Sequence, residues 1–457
     1  MTQPRQLRYL LLIAVTGTLL YGVQLLIDVA RPMADFVEPV VGLLGAAWPT
    51  QVKVTFWAVV SSWLLVLAGW GLAVRWYRDR STLTVLTVVV LLLPFTFSPA
   101  FTVFGHPATL LICLPSTAFG LWLVRRMQRY RRMPLALPLA VFGWGAFVGV
   151  GFGGSMNLWV FDYAPRYLLG QGGDLVRIAH EVYTGTVASA GVFEELGKGA
   201  GVAVAYLLFR RHVDDVVSGI VLGASAGLGF NLVETVEYIS AAQGGGAETQ
   251  YWLRQSVGLM AAHTAFTAII GAGFGVASQL RERRLRLITI GCGYLCGAGA
   301  HFANDVLLPW LNQLERTWLN PGPIVDVLVG QPLVLLILQG PLVVAYLLLL
   351  RRGLRSQVAV LADRLRAEAA TGNGAVIDPE IPILLKPAAR FRFKVTALRR
   401  YGPAAYRTLS RLHAAQYELA MQRGHRADEL RERIHQLRAE LRAAVTAAEV
   451  RPVGEAA

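Results

Sequence analysis

GVFEELGKGAGVA, residues 191–203, places Glu194, Glu195 and Lys198 within a single helical turn of an apolar run that spans 182–209. The composition around that run decides what kind of helix it is. The chain has 457 residues, is 54% hydrophobic and only 16% charged, and has a mean hydropathy of +0.48. Apolar runs of bilayer-crossing length recur along its first three-quarters, and the period-two alternation of a barrel is absent. The reading is an all-α, polytopic transmembrane helical bundle of about ten spans with a C-terminal cytoplasmic helical tail. The expected spans are 9–29, 54–74, 83–104, 107–124, 135–158, 182–209, 216–239, 256–280, 287–308 and 327–350.

The loops between these runs alternate in basic content. RRMQRYRRM follows the fourth run, RRH the sixth, RERRLR the eighth and RRGLR the tenth. The positive-inside rule then puts both termini in the cytoplasm, and a bacterial plasma membrane is the expected location. Four regions result: 1–181, N-terminal spans and an outer loop; 182–308, a core of four spans, expected to be catalytic from the motifs given below; 309–350, the last outer loop and final span; and 351–457, a basic cytoplasmic tail. The tail carries about 20 basic and about 11 acidic residues. Its expected partners are anionic lipid or a cytoplasmic protein, and nucleic acid is not expected. Two tail helices are expected to hinge near Gly424. Cys113, Cys292 and Cys296 all lie in apolar runs, so they read as small packing residues rather than as a disulfide framework.

Each ionisable residue near a bilayer centre costs roughly 2.5–3.5 kcal/mol on insertion scales, so three in one turn imply a function. Glu194 and Lys198 are four apart and Glu195 and Lys198 three apart, so both pairs can meet on one helix. A single lysine neutralises only one of two carboxylates, which leaves the other for acid–base chemistry. The following spans add similar groups. GLGFNLVETVEY holds Phe230, Glu234 and Glu237; Arg254 precedes HTAFTAIIG, which holds His263 and Thr267; and HFAND holds His301, Asn304 and Asp305. Small residues, among them Gly191, Gly223, Gly227 and Gly299, are expected to bring these helices close enough for the groups to share one wet cavity.

These four elements, in this order, resemble the PrsW family of intramembrane proteases, which sits with the CAAX prenyl endopeptidases and bacteriocin-processing enzymes in a wider group. The E-E-x-x-K element falls on Glu194, Glu195 and Lys198. The F-x-x-x-E-N element falls on Phe230 and Glu234, with Thr235 in place of the usual Asn. R…H-x-x-x-T falls on Arg254, His263 and Thr267, and H-x-x-N on His301 and Asn304. The resemblance implies a protease that activates water with a glutamate and cuts a membrane-anchored protein near the outer face of the membrane. Its implied catalytic residues are Glu194, Glu195, Glu234, His263 and His301, supported by Lys198, Phe230, Arg254, Thr267 and Asn304. No cofactor is preferred; zinc held by His263, His301 and Glu194 is the alternative, although no H-E-x-x-H helix is present. A proton- or ion-coupled transporter using the same buried groups is the competing function.

Overall fold

The computed structural model describes residues 96–154, 156–157, 174–242, 246–421 and 427–449. The expected spans 9–29 and 54–74, most of 83–104 and the hinge at Gly424 lie outside the described residues. Those described are all-helical, with no strand among them. Their contacts divide them into two units: Met133–Leu349 with the residues up to Arg125, and Arg126–Arg132 with the chain from Leu350 onward.

In the first unit, α1 (Phe97–Gly105) and α2 (Pro107–Met127) are separated only by His106. Next comes α3 (Ala136–Trp144), which passes through a π-turn at Gly145–Gly149. Then α4 (Leu175–Ser189) runs through a second π-turn, Ala190–Glu194, into α5 (Glu195–Leu208). It starts seven residues before the expected 182, because Asp174 caps it by accepting from the Arg177 amide. Helix α6 (Val216–Ala241) opens with a reciprocal cap between Asp215 and Ser218. The short α7 (Gly246–Tyr251) leads through a π-turn, Trp252–Val257, to α8 (Ala262–Gln279), and α9 (Arg283–Leu319) follows. The three residues of α10 (Pro323–Val325) and a π-turn at Asp326–Gly330 precede α11 (Gln331–Ala370).

Five of the described helical runs are long and apolar enough to cross a membrane: Pro107–Met127, Ala136–Gly154, Val216–Ala241, Gly246–Gln279 and Pro323–Ala370. With the family comparison below, they make this an integral membrane protein. The helices that carry Glu194, Glu195 and His301 are not among the five. Helix α6 is the centre of the unit: 94% of its most apolar window is buried, which marks a helix with neighbours on every side. Its most extensive partner is α8. Gly223 and Gly227 face that partner backbone to backbone, and a Cβ on Gly223 would overlap the Thr267 carbonyl oxygen. This is the small-residue packing that the sequence suggests. Gly299 departs from it, since nothing lies within 4 Å of where its Cβ would stand.

Three further expectations are corrected. Helix α8 begins at Ala262, not near 256, because Gly258 closes the preceding turn through its amide on Leu253 O at 2.8 Å. His263 therefore sits in the first turn of its helix. Helix α9 continues through Pro309 to Leu319, eleven residues past the expected span end at 308. Cys292 and Cys296 are exposed on α9 rather than packed, whereas Cys113 is buried.

In the second unit, α12 (Ile381–Leu385), α13 (Pro387–Met421) and α14 (Ala427–Glu449) follow the later part of α11. Helix α13 is two helices joined at Gly402, whose φ of 82° is left-handed and suits glycine. Leu409, Leu412 and Leu419 pack against Leu430, Ile434 and Leu437. Arg431 grips Glu368 with two nitrogens at 2.7 and 2.9 Å, and Arg438 holds Glu380 at 2.6 Å. The Glu and Arg residues at turn spacing thus edge an apolar core that alternates with them on the same helices.

Candidate active site

Helix α5 carries Lys198 into the middle of the first unit, where the residue is fully buried, as is Glu195; Glu194 is 6% exposed. The Lys198 Nζ stands 2.6 Å from Glu195 Oε1, 3.5 Å from Glu194 Oε2 and 3.1 Å from His263 Nδ1. It also lies 3.7 Å above the centre of the Phe230 ring. The aromatic face contributes further stabilisation to the buried cation, beyond its ionic partner.

Glu195 is saturated. Its Oε1 accepts from Lys198 and stands 3.1 Å from His301 Nδ1, and its Oε2 accepts from Thr267 Oγ1 at 2.8 Å. An ionised carboxylate only accepts, so His301 donates through Nδ1, while its Nε2 faces Asp305 Oδ2 at 3.4 Å and Glu194 Oε2 at 3.8 Å. Glu234 plays the matching part for the other imidazole. Its Oε2 lies 2.7 Å from His263 Nε2 and accepts from Arg254 Nη1 at 2.6 Å. Arg254 is itself placed by Gln250, at 3.0 Å, and by the Tyr238 ring. His263 therefore donates through Nε2 and turns its Nδ1 lone pair to Lys198.

Glu194 is different. Asn157 Nδ2 donates to its Oε1 at 2.9 Å, but no described group donates a hydrogen bond to Oε2, although that atom is buried. The open oxygen lies 3.8 Å from His301 Nε2. Gly153 makes the room, since a Cβ there would press on Glu194 Cγ at 2.5 Å. The two imidazole rings are 4.9 Å apart, edge to face, and Phe266 stacks on His301 at 5.0 Å.

The structure thus brings Glu194, Glu195, Lys198, Phe230, Glu234, Arg254, His263, Thr267 and His301 into one cluster. Asn304 is buried but turned aside: its amide nitrogen donates to Asp305 at 3.0 Å and its oxygen accepts from Gln339 at 2.9 Å. Glu237 is exposed and outside the cluster. Thr235 bonds back to Asn231 O of its own helix at 2.5 Å, so it does not supply the amide usual at that place. Asn157 is the residue that reading the sequence missed. Its only signal was a lone amide near the end of an apolar run, with no charged or motif partner at helical spacing.

The model of one protein family, described as PrsW family intramembrane metalloprotease, matches residues 133–337. That stretch contains every residue of the cluster and somewhat under half of the chain. No curated protein and no solved structure matches the chain. The match shows the resemblance carried by the four motifs and supports an intramembrane protease.

The family's description implies a metal. Glu194, His263 and His301 each offer a donor atom within 4.8 Å of the others and by distance could hold an ion. Two imidazoles and a carboxylate are a familiar catalytic zinc set. As folded, however, the three do not present three open donors. Both His263 nitrogens are taken, one by Glu234 and one by Lys198, and the Lys198 ammonium stands on the same side as Glu194 Oε2. A dication would have to displace that ammonium. The arrangement does not fit a metal without this rearrangement.

Proposed function

We propose that this chain hydrolyses a peptide bond of a membrane-anchored protein without a metal, with Glu194 as the general base. The observation that carries the reading is Glu194 Oε2, a buried oxygen to which no described group donates a hydrogen bond, with His301 Nε2 3.8 Å away. A water bound beside that oxygen would donate a hydrogen to it. Glu194 takes a proton from it as its oxygen adds to the scissile carbonyl carbon. The same proton passes from Glu194 to the leaving nitrogen as the C–N bond breaks. Lys198 has three N–H donors, of which two serve Glu195 and His263; the third is available to the oxyanion. Glu195 and Glu234 hold the imidazole tautomers and keep the lysine charged. Glu195 has neither oxygen open for proton abstraction.

By the topology read from the loop charges, Glu234, His263 and His301 fall towards the outer half of their helices and Glu194 and Glu195 near mid-depth, so the cut is proposed near the outer boundary of a bacterial plasma membrane, with both termini cytoplasmic. The test is the full chain in liposomes with a single-span reporter protein. Cleavage is expected, and 1,10-phenanthroline or EDTA is expected to leave its rate unchanged. Loss of cleavage on chelation, restored by zinc, would overturn the metal-free chemistry and leave the protease. Substrate-dependent proton flux without cleavage would favour the transporter instead.

A further inference from the structure

We propose that Lys394, Arg390 and His413, with Arg126 and Arg132, form a binding site for a phosphate-bearing anion: an anionic phospholipid headgroup or free phosphate. All five belong to the second unit. Arg390 is fixed in place: its guanidinium donates to Leu384 O at 3.1 Å, to Arg129 O at 2.7 Å and to the Tyr417 hydroxyl, between the rings of Tyr130 and Tyr417. Four residues along α13, one helical turn away, Lys394 is half-buried and makes no hydrogen bond or ion pair with any described residue. The charged groups acting on it are Arg390, Arg132 and Arg126, with no carboxylate among them. Burial and these three cations together bring its ammonium down to about 8.

His413 adds an independent sign. It is 5% exposed, its Nδ1 has no partner, and Phe393 stacks on its ring. Burial, Lys394, Arg390 and Arg438 bring it down to about 3. Of these neighbours, Arg438 alone has an acidic partner among the described residues, Glu380 at 2.6 Å. Carboxylates are available elsewhere on these helices, yet no described one acts on Lys394. A half-buried cation surrounded by cations is unfavourable unless an anion completes it. A phosphate group supplies the charge and several acceptor oxygens for convergent lysine and arginine donors. Along the chain, Arg126 comes at the end of α2, a helix long and apolar enough to cross a membrane. This site does not depend on the protease reading.

The experiment uses the full-length chain in detergent. Native mass spectrometry counts bound short-chain phosphatidylglycerol against phosphatidylcholine, with inorganic phosphate as competitor. Lys394→Gln is expected to weaken phosphatidylglycerol binding roughly fivefold and Lys394→Glu to abolish it. The charge-matched change Arg442→Gln, at an exposed position of α14, is expected to leave binding unchanged. Binding that survives phosphate competition assigns the lipid headgroup; binding displaced by phosphate assigns the free anion. If Lys394→Glu binds both anions as the wild type does, or if Arg442→Gln weakens binding equally, the site does not exist.

Discussion

Glu194→Gln is expected to lower the rate of reporter cleavage by about 10²–10⁴-fold, the usual contribution of a positioned general base. The substitution preserves shape, and a glutamine oxygen can still accept from Asn157, which now bonds Oε1 at 2.9 Å. Folding and reporter binding are therefore expected to survive while kcat falls. Glu195→Gln should behave differently. Lys198, Thr267 and His301 all converge on that carboxylate, and Lys198 is fully buried. Neutralising it removes the closest counter-charge of a buried ammonium, a loss of about 3–5 kcal/mol. Its signature is a drop in thermal stability in detergent and in folded yield, not simply a slow enzyme. A Glu194→Gln protein that cleaves within about twofold of wild type would end the assignment of Glu194 as the base, since a base worth so little does not operate in the transition state.

Gly227→Ala should be nearly as damaging, through packing alone. A Cβ on Gly227 would overlap the carbonyl oxygen of His263 and stand 2.7 Å from its carbonyl carbon and 2.9 Å from Thr264 Cα. The obstacle is backbone, so no side-chain rotation relieves it, and α6 and α8 must move apart. Overpacking of this kind costs about 1–3 kcal/mol or more. His263 is the second residue of α8, so the displacement falls directly on a ring whose two nitrogens bond Glu234 and Lys198. A misplacement of about 1 Å in such a constellation can cost roughly 10²-fold in rate. Gly299→Ala, where nothing lies within 4 Å, serves as the control and should be silent in both assays. Equal melting temperatures and equal kcat/KM for the two alanine variants would show that the α6–α8 contact is not what holds His263.

How much of this could be read beforehand depends on the range of each interaction. Lys198 meets both glutamates as the spacing of three and four predicts, because those contacts lie within one turn of one helix. The convergence of α5, α6, α8 and α9 was also legible, since buried charge in lipid must find partners and each helix carried one part of the set. The π-turn at Ala190–Glu194, which enters directly into the carboxylate pair, left no mark on the hydropathy pattern. Nor did the direction of the Asn304 amide, which is set by Gln339 on a helix 35 residues away.

By itself the amino-acid sequence determined that the chain is helical, that it enters a membrane, and that acid, lysine and imidazole groups lie on successive helices. Period, run length and charge cost act locally, and a linear string records them. The difference between Glu194 and Glu195 was decided only in three dimensions. The two residues are adjacent and chemically identical, and they part company because Thr267 and His301 close around one, while among the described residues Asn157 alone donates a hydrogen bond to the other. Hydrogen bonds are satisfied through space, and a helix about 100 residues further along the chain supplies the deciding donor.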